Sequence, residues 1–270
     1  MNILSLFDGI SCGQIALHRA NIPVTTYYSS EIDAHSINIT QNNYPDTLQL
    51  GNVENWENWN LPKINILMGG SPCQGFSKCG NRLNFNDPRS KLFFHFVDIL
   101  NSLNPTYFLL ENVRMIPIWR NIISKYLQTE PILINSSLVS AQNRERYYWT
   151  NIKNISIPED KHIYLKDIIH TNEIRVHPRG NNKGGIRTRK KCPTITSSNW
   201  QYNFHLKINN QWRMFTPEEC EILQTIPKGY TNYVSKTQRY KAIGNAWTVD
   251  IISYILNHIN STPIIKEGFI

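Results

Sequence analysis

From residue 2 the chain alternates short apolar runs with longer stretches in which apolar positions recur at helical spacing. "NILSLF" is followed by "GQIALHRA", "TTYYSSE" by "DAHSINITQNN" and "INILMGG" by "SKLFFHFVDILNSL", after which comes "TYFLLEN". This is the rhythm of βαβ units around a parallel sheet. The pattern predicts strands ending at Phe7, Glu31, Gly69 and Glu111, with Pro105 stopping the helix before the last of them. In a doubly wound sheet ligands sit outside the carboxyl ends of the strands, so Asp8, Glu31, Cys73 and Glu111 are expected around one crevice.

After "RERYYWTNI" the alternation dissolves into a polar stretch rich in Gly and Asn, which predicts a small lobe of irregular and β structure. Thr216-Pro217-Glu218-Glu219 reads as a helix start, with Thr216 as cap and Glu219 closing a capping box. A last helix, roughly Trp247 to His258, carries Val249, Ile252, Ile255, Leu256 and Ile259 on one side and is expected to return to the first domain. The expected division is therefore one domain from 1–152 and 238–270, with the small lobe at 153–237.

Charge sharpens the reading of the lobe. The 270 residues carry a formal net charge of +8, and no Asp or Glu lies between Glu173 and Glu218. That window holds Arg175, Arg179, Lys183, Arg187, Arg189, Lys190, Lys191, Lys207 and Arg213, with His177, Trp200, Tyr202, Phe204, His205 and Trp212 among them. Cations for phosphates and flat rings for bases suit a nucleic-acid surface, and a solvated basic face has the same composition. The five cysteines form no C-x-x-C pair, which indicates neither a disulfide framework nor a zinc site and fits a reducing, cytoplasmic setting. The N-terminal "MNILSLFDGISCG" has no basic leader, and no apolar run reaches transmembrane length.

Several segments could carry chemistry. "LFDGISCG" follows the first strand and opens the first helix, where glycines permit tight turning and close approach to a ligand. Its Gly9, Gly13 spacing is not that of pyrophosphate binders and suits a ligand with a carboxylate instead, although such a turn also occurs simply as a turn. Glu31 stands where a carboxylate grips ribose hydroxyls, or is an exposed strand-end acid. In "GGSPCQGFS", Cys73 is a nucleophile or a packing residue. Pro72 holds Ser71 extended, Gly69, Gly70 and Gly75 leave room for a planar substrate, and the segment from Ser71 to Asp87 reads as a lid. "LLENV" puts Glu111 behind an apolar run, a costly place for a carboxylate without a partner or a task. "QNRERYY" sets Arg144 and Arg146 on one strand face with Gln142, Glu145 pointing away; the pair binds a phosphate and a carbonyl oxygen, or forms a surface ladder.

In their order along most of the chain these segments resemble the cytosine-5 DNA methyltransferase family. "FDGISCG" is similar to its cofactor loop, "GGSPCQGFS" to its nucleophile loop, "ENV" to its acid motif and "QNRER" to its arginine motif. "CPTIT" is similar to the motif after target recognition and "RYKAIGNAWTV" to the closing cofactor motif. The resemblance implies an α/β fold, a Rossmann-like S-adenosylmethionine-dependent methyltransferase sheet with a small, mostly irregular and β target-recognition lobe, acting on a cytosine flipped out of duplex DNA. It implies Cys73 as the thiolate that adds to C6, Glu111 at N3 and the exocyclic amine, Arg146 at O2, and Arg144 supporting the loop or a phosphate. For the cofactor it implies Phe7, Asp8, Gly9 and Ile10 in the loop, Glu31 at the ribose and Ile32 on the adenine. Asn52 and Val53 would lie at the adenine amino group, Pro72 and Leu92 in the pocket wall, and Asn245, Ala246 and Trp247 at the methionine end.

Three features depart from the commoner pattern. Asn52 replaces an acid and is a weaker acceptor, Trp247 replaces a small residue, and only about 46 residues separate Arg146 from Pro193. The last two resemble the short-lobed branch with de novo-type and phage-encoded enzymes, and imply a short or relaxed target. DNA contacts are expected from Gln74, Ser77, Arg179, Lys183, Arg187, Arg189, Lys190 and Lys191. Duplex DNA is the expected partner, with a cognate restriction endonuclease or none; no metal and no membrane are expected. The competing readings are a tRNA cytosine-5 methyltransferase on the same scaffold, a thymidylate-synthase-like enzyme on a free nucleotide, and a catalytically silent DNA-binding regulatory paralogue.

Overall fold

The computed structural model describes residues 1–71, 88–178, 182–198 and 200–260. Its first part runs β1 (Asn2–Leu6), α1 (Cys12–Arg19), β2 (Thr26–Ser30), α2 (Ala34–Asn43), a short β3 (Leu48–Gln49) and β4 (Ile66–Gly69). Then come α3 (Pro88–Leu103), β5 (Tyr107–Val113), α4 (Pro117–Leu127), β6 (Ile132–Asn135) and β7 (Glu145–Thr150). These strands form one seven-stranded sheet in the order β3-β2-β1-β4-β5-β7-β6.

The apolar runs are nearly continuous because successive side chains feed two cores. Ile3, Ile66, Met68, Leu109 and Tyr148 face one core, with α1 above them. Leu4, Leu6, Leu67, Phe108, Leu110, Tyr147 and Trp149 face the other, beside Phe93 and Phe96 of α3 and Ile123 of α4. Pairing is parallel from β3 to β5, but β7 runs antiparallel to both β5 and β6. The parallel arrangement expected from the βαβ rhythm holds from β3 to β5, and β7 turns back at this edge because the short 136–144 connection cannot make a crossover.

The lobe follows as α5 (Leu165–Ile169), β8 (Glu173–Val176), β9 (Gly185–Thr188), α6 (Trp200–Asn203), β10 (Phe204–Ile208) and β11 (Gln211–Met214). Its four strands form a separate antiparallel sheet in the order β11-β10-β8-β9. Ile174, Val176 and Leu206 pack from this sheet onto a cluster that includes Trp200, Phe215, Cys220 and Ile243. Trp200 is thus a core residue, 3% exposed against Phe204 and Phe215, and not a surface ring for a base.

The chain closes with α7 (Pro217–Leu223), α8 (Lys236–Asn245) and α9 (Val249–Asn260). Thr216 caps α7 and Glu219 completes the capping box, as the sequence predicts. The apolar side of α9, with Val249, Ile252, Ile255, Leu256 and Ile259, packs in the first core beside Ile15, Ala16 and Leu17 of α1. No helix among the described residues is long and apolar enough to cross a membrane.

Candidate active site

A cavity of about 360 Å³ opens outside the carboxyl ends of β1, β2, β4 and β5 and is bounded on its far side by the end of α8 and by Asn245, Ala246 and Trp247. That volume lies within the range of small-molecule sites. Phe7, Asp8, Gly9, Glu31, Ile32, Asn52, Val53, Leu92, Glu111, Arg144 and Arg146 all line it. Pro72, Cys73, Gln74, Ser77 and the lid expected from Ser71 to Asp87 lie outside the described residues, apart from Ser71, which is buried in the cavity wall.

At one end the β1–α1 loop is drawn tight. Glu31 accepts Gly9 N at 2.7 Å and also takes Ile32 N and Asp33 N, each at 2.8 Å. The Asp8 carboxylate is taken up by protein donors. It accepts Tyr27 Oη at 2.7 Å, Ser29 Oγ at 3.0 Å and the Ser11 hydroxyl, and burial raises its pKa. Ile10 is 1% exposed, so its side chain belongs to the core. Ile32, by contrast, is 73% exposed at the cavity rim, an apolar surface left open beside Phe7. A Cβ on Gly9 would meet nothing within 4 Å, and φ there is +60°. Asn52 is already engaged: its Oδ1 accepts Glu54 N at 3.1 Å and its Nδ2 donates to Glu54 Oε2 at 2.9 Å.

At the other end two strands bring opposite charges together. Glu111 lies across from Tyr148 and Val113 across from Arg146 in the β5–β7 register. Glu111 and Arg146 are therefore diagonal neighbours on one face, and Arg146 Nε reaches Glu111 Oε1 at 2.8 Å, with the two side chains 13% and 12% exposed. Glu145 points the other way and pairs with Arg114. Arg144 is held by different partners from Arg146. It is 4% exposed and donates to Ile195 O at 2.7 Å and Ala246 O at 3.0 Å. Asn112 Nδ2 donates to Ser71 Oγ at 3.0 Å, fixing the exit of β4 two residues before Cys73. Gly70 is needed there, because a Cβ would come within 2.8 Å of Trp247 Nε1 and 3.3 Å of Glu111 Oε2.

Sequence reasoning missed the polar supports beneath this end. Gln142 donates to Leu223 O and to Gln224 Oε1 and accepts Ile195 N, while Gln224 donates to Ile243 O and Ala246 O. Both glutamines are wholly buried. Gln142 stands in the polar run "AQNRER" and Gln224 within "ILQTI", so neither announces its partners until the fold brings them together.

The family model for C-5 cytosine-specific DNA methylases matches residues 1–182 and 119–261. The chain belongs to this family. A type II methyltransferase, M1.ScrFI of Lactococcus lactis subsp. cremoris, is 27% identical over 299 aligned residues, covering 94% of this chain and 76% of that protein. The orphan methyltransferase M.Rho11sI of Bacillus phage rho11s is 32% identical over 179 residues, covering 62% of this chain and 36% of its own. A crystal structure of a putative DNA modification methyltransferase encoded within an Escherichia coli prophage shares the fold, with a TM-score of 0.72 at 22% identity over 97% of this chain and 99% of that one.

In this C-5 cytosine methylase the basic lobe is less uniform than its composition suggests. Lys183, Arg187 and Lys190 are exposed, Arg189 is half-buried, and Arg179 lies outside the described residues. Lys191 is turned inward. Its Nζ donates to Ser137 O and Ile163 O at 2.6 Å and to Ser140 O at 3.1 Å, and burial lowers its pKa. Lys207 and Arg213 pair with Glu173 and Glu219. Arg175 stacks over Trp212, 4.3 Å from the ring centre. His177 and His205 meet with ring nitrogens 3.2 Å apart.

Proposed function

We propose that the chain transfers a methyl group from S-adenosylmethionine to C5 of a cytosine flipped out of duplex DNA, through a covalent adduct between Cys73 and C6. The observation that carries this reading is the part-buried Glu111–Arg146 pair facing one cavity with Ser71 and the Gly9 loop. The cofactor fits the other end on its own terms: open space over Gly9 and an exposed Ile32 beside Phe7 offer an apolar seat for a planar ring. When bound, S-adenosylmethionine supplies an electrophilic methyl group. Asn245, Ala246 and Trp247 would hold its amino-acid end and Glu31 its ribose.

C5 of cytosine is a poor nucleophile. In the proposed reaction the Cys73 thiolate forms a bond to C6, and the displaced π electrons make C5 an enamine carbon while negative charge builds on N3 and O2. Glu111 gives a proton to N3 and Arg146 donates to O2. Base entry must therefore exchange the ion pair now present for Arg146 on O2 and a protonated Glu111 on N3. Once C5 carries the methyl group, N3 returns its proton to Glu111, solvent takes the proton from C5, and the electrons of that C–H bond re-form the C5–C6 double bond as the sulfur–C6 bond breaks and Cys73 leaves as thiolate. The described cysteines are poor candidates for the nucleophile, which leaves Cys73 and Cys79, and the Pro-Cys-Gln motif favours Cys73. Burial pushes the Cys12 thiol up to about 12 and raises Cys192 and Cys220 as well, so none of these three offers a thiolate near neutral pH.

We assign residues 1–152 and 238–270 to catalysis and cofactor binding and 153–237 to target recognition. Lys183, Arg187, Arg189 and Lys190 are the proposed phosphate contacts; Lys191 is withdrawn from that set because three carbonyls hold it. Lys183→Ala is expected to lower the slope of log affinity against log salt by about 1, with little change in Tm. Lys191→Ala is expected to leave the slope unchanged and to cost about 2–3 kcal/mol of stability. DNA titrations at graded salt, paired with thermal melts, check both, and a normal Tm with a reduced slope in Lys191→Ala would return it to the DNA surface.

The deciding assay incubates the protein with labelled S-adenosylmethionine and either duplex DNA or tRNA, with the products digested and identified by mass spectrometry. 5-Methyldeoxycytidine is expected from DNA. Label in tRNA alone would keep the chemistry and change the substrate, and no transfer to either would favour a silent paralogue. Bisulfite sequencing of treated plasmid is expected to show a short or relaxed site; a stringent site of six or more bases would overturn the small-lobe argument.

A further inference from the structure

The β1–α1 loop is held in an unfavourable shape. Within five residues Phe7, Gly9 and Ser11 all take left-handed φ values, 56°, 60° and 54°. Two of the three carry a Cβ, and such a conformation persists only where the surroundings impose it. Most of the imposing contacts come from β2 and its end: Ser30 O accepts Asp8 N, Glu31 accepts Gly9 N, and Tyr27 and Ser29 hold the Asp8 carboxylate.

One contact comes from a distant part of the chain. Tyr230, between α7 and α8, donates its hydroxyl to the carbonyl of Ile10 at 2.8 Å. Tyr230 is 6% exposed and Ile10 1%, so solvent has little access to replace that donor. Tyr230 is itself set from both sides by one carboxylate. Glu221 on α7, wholly buried, accepts Gly229 N at 2.6 Å and Thr231 N at 2.9 Å, which are the amides of the residues flanking Tyr230. Thr231 Oγ1 at 2.5 Å and Arg239 Nη2 at 3.1 Å complete its partners, and Asn43 Nδ2 holds the Tyr230 carbonyl at 2.9 Å. A buried carboxylate with four donors arranged around a single turn makes that turn a rigid mount for the phenol.

We propose that Tyr230, mounted by Glu221, is a positioning residue for cofactor binding: it holds the strained β1–α1 loop in the shape that receives S-adenosylmethionine. The proposal rests on the cofactor reading above. Tyr230→Phe leaves the Ile10 carbonyl without its donor inside the protein and lets the loop relax, so the cofactor must reorder the loop as it binds.

The test is isothermal titration of S-adenosylmethionine into the whole chain, with steady-state kinetics on duplex DNA. Tyr240→Phe is the matched control: Tyr240 is also 6% exposed and also donates its hydroxyl to a carbonyl, that of Phe215 at 2.5 Å, but its ring lies on the side of α8 that packs with Trp200 and Phe215 and does not line the cavity. Tyr230→Phe is expected to raise Kd and KM for S-adenosylmethionine about tenfold, leaving kcat at saturating cofactor and KM for DNA within about twofold. Tyr240→Phe is expected to lower Tm comparably without moving the cofactor constants. Glu221→Gln, assayed in the same way, should shift cofactor affinity in the direction of Tyr230→Phe. Equal cofactor affinity in wild type and Tyr230→Phe would overturn the proposal, as would equal losses in both Tyr→Phe variants. A wild-type chain that binds no S-adenosylmethionine would instead overturn the cofactor reading and this inference with it.

Discussion

Cys73→Ala abolishes methyl transfer, with a loss on the order of 10⁴-fold or more, while Cys192→Ala and Cys220→Ala still turn over: that is the expected result of measuring single-turnover transfer to duplex DNA. The size follows from the chemistry, because without a covalent adduct C5 has no enamine character, and the remaining groups cannot supply it. The contrast follows from the structure. Cys192 and Cys220 are wholly buried in the lobe cluster with raised pKa values, so their replacement removes packing worth about 1–2 kcal/mol and leaves the reaction intact. Turnover that survives Cys73→Ala and vanishes with one of the others would reassign the nucleophile.

Arg146→Ala is the second large effect, an expected fall of about 10²–10³-fold in kcat/KM. Two losses combine. The donor proposed for O2 disappears, and Glu111 is left without its 2.8 Å partner in a site where its side chain is only 12% exposed. Arg146→Lys should recover little, since an ammonium cannot reproduce the planar geometry of the guanidinium. Arg144→Ala should behave differently. Its guanidinium ties Ile195 and Ala246 together, so a lower Tm should accompany, or exceed, the kinetic loss. Equal kinetic defects and unchanged melting in both variants would mean that the two arginines share one role.

Much of this architecture was legible in the sequence, for physical reasons that differ from place to place. Buried strands leave an unmistakable mark, and the runs ending at Phe7, Glu31, Gly69 and Glu111 correspond to β1, β2, β4 and β5. Capping chemistry is local, so Thr216 and Glu219 could be read directly. What escaped depends on contacts distant in the chain. The reversed direction of β7 is fixed by a connection too short for a crossover, which a strand pattern does not register. Lys191 has the composition of its basic neighbours, and only the carbonyls of Ser137, Ser140 and Ile163 distinguish it. Trp200 likewise looked like a ring for a base until Phe204 and Phe215 enclosed it. Asn52 could be recognised as a departure from the family's acid, but not as the cap of the turn that begins at Val53.

The packing of α9 against α1 bears on how the protein is made. The face of the sheet carrying Ile3, Ile66 and Met68 is completed by Ile252, Ile255 and Leu256, which the ribosome adds about two hundred residues later. Until then α1 covers only part of that face, and the pocket is unfinished because Asn245, Ala246 and Trp247 are also still to come. Cotranslational folding therefore leaves this core incomplete until α9 emerges, and the part still exposed is the stretch on which a chaperone would act.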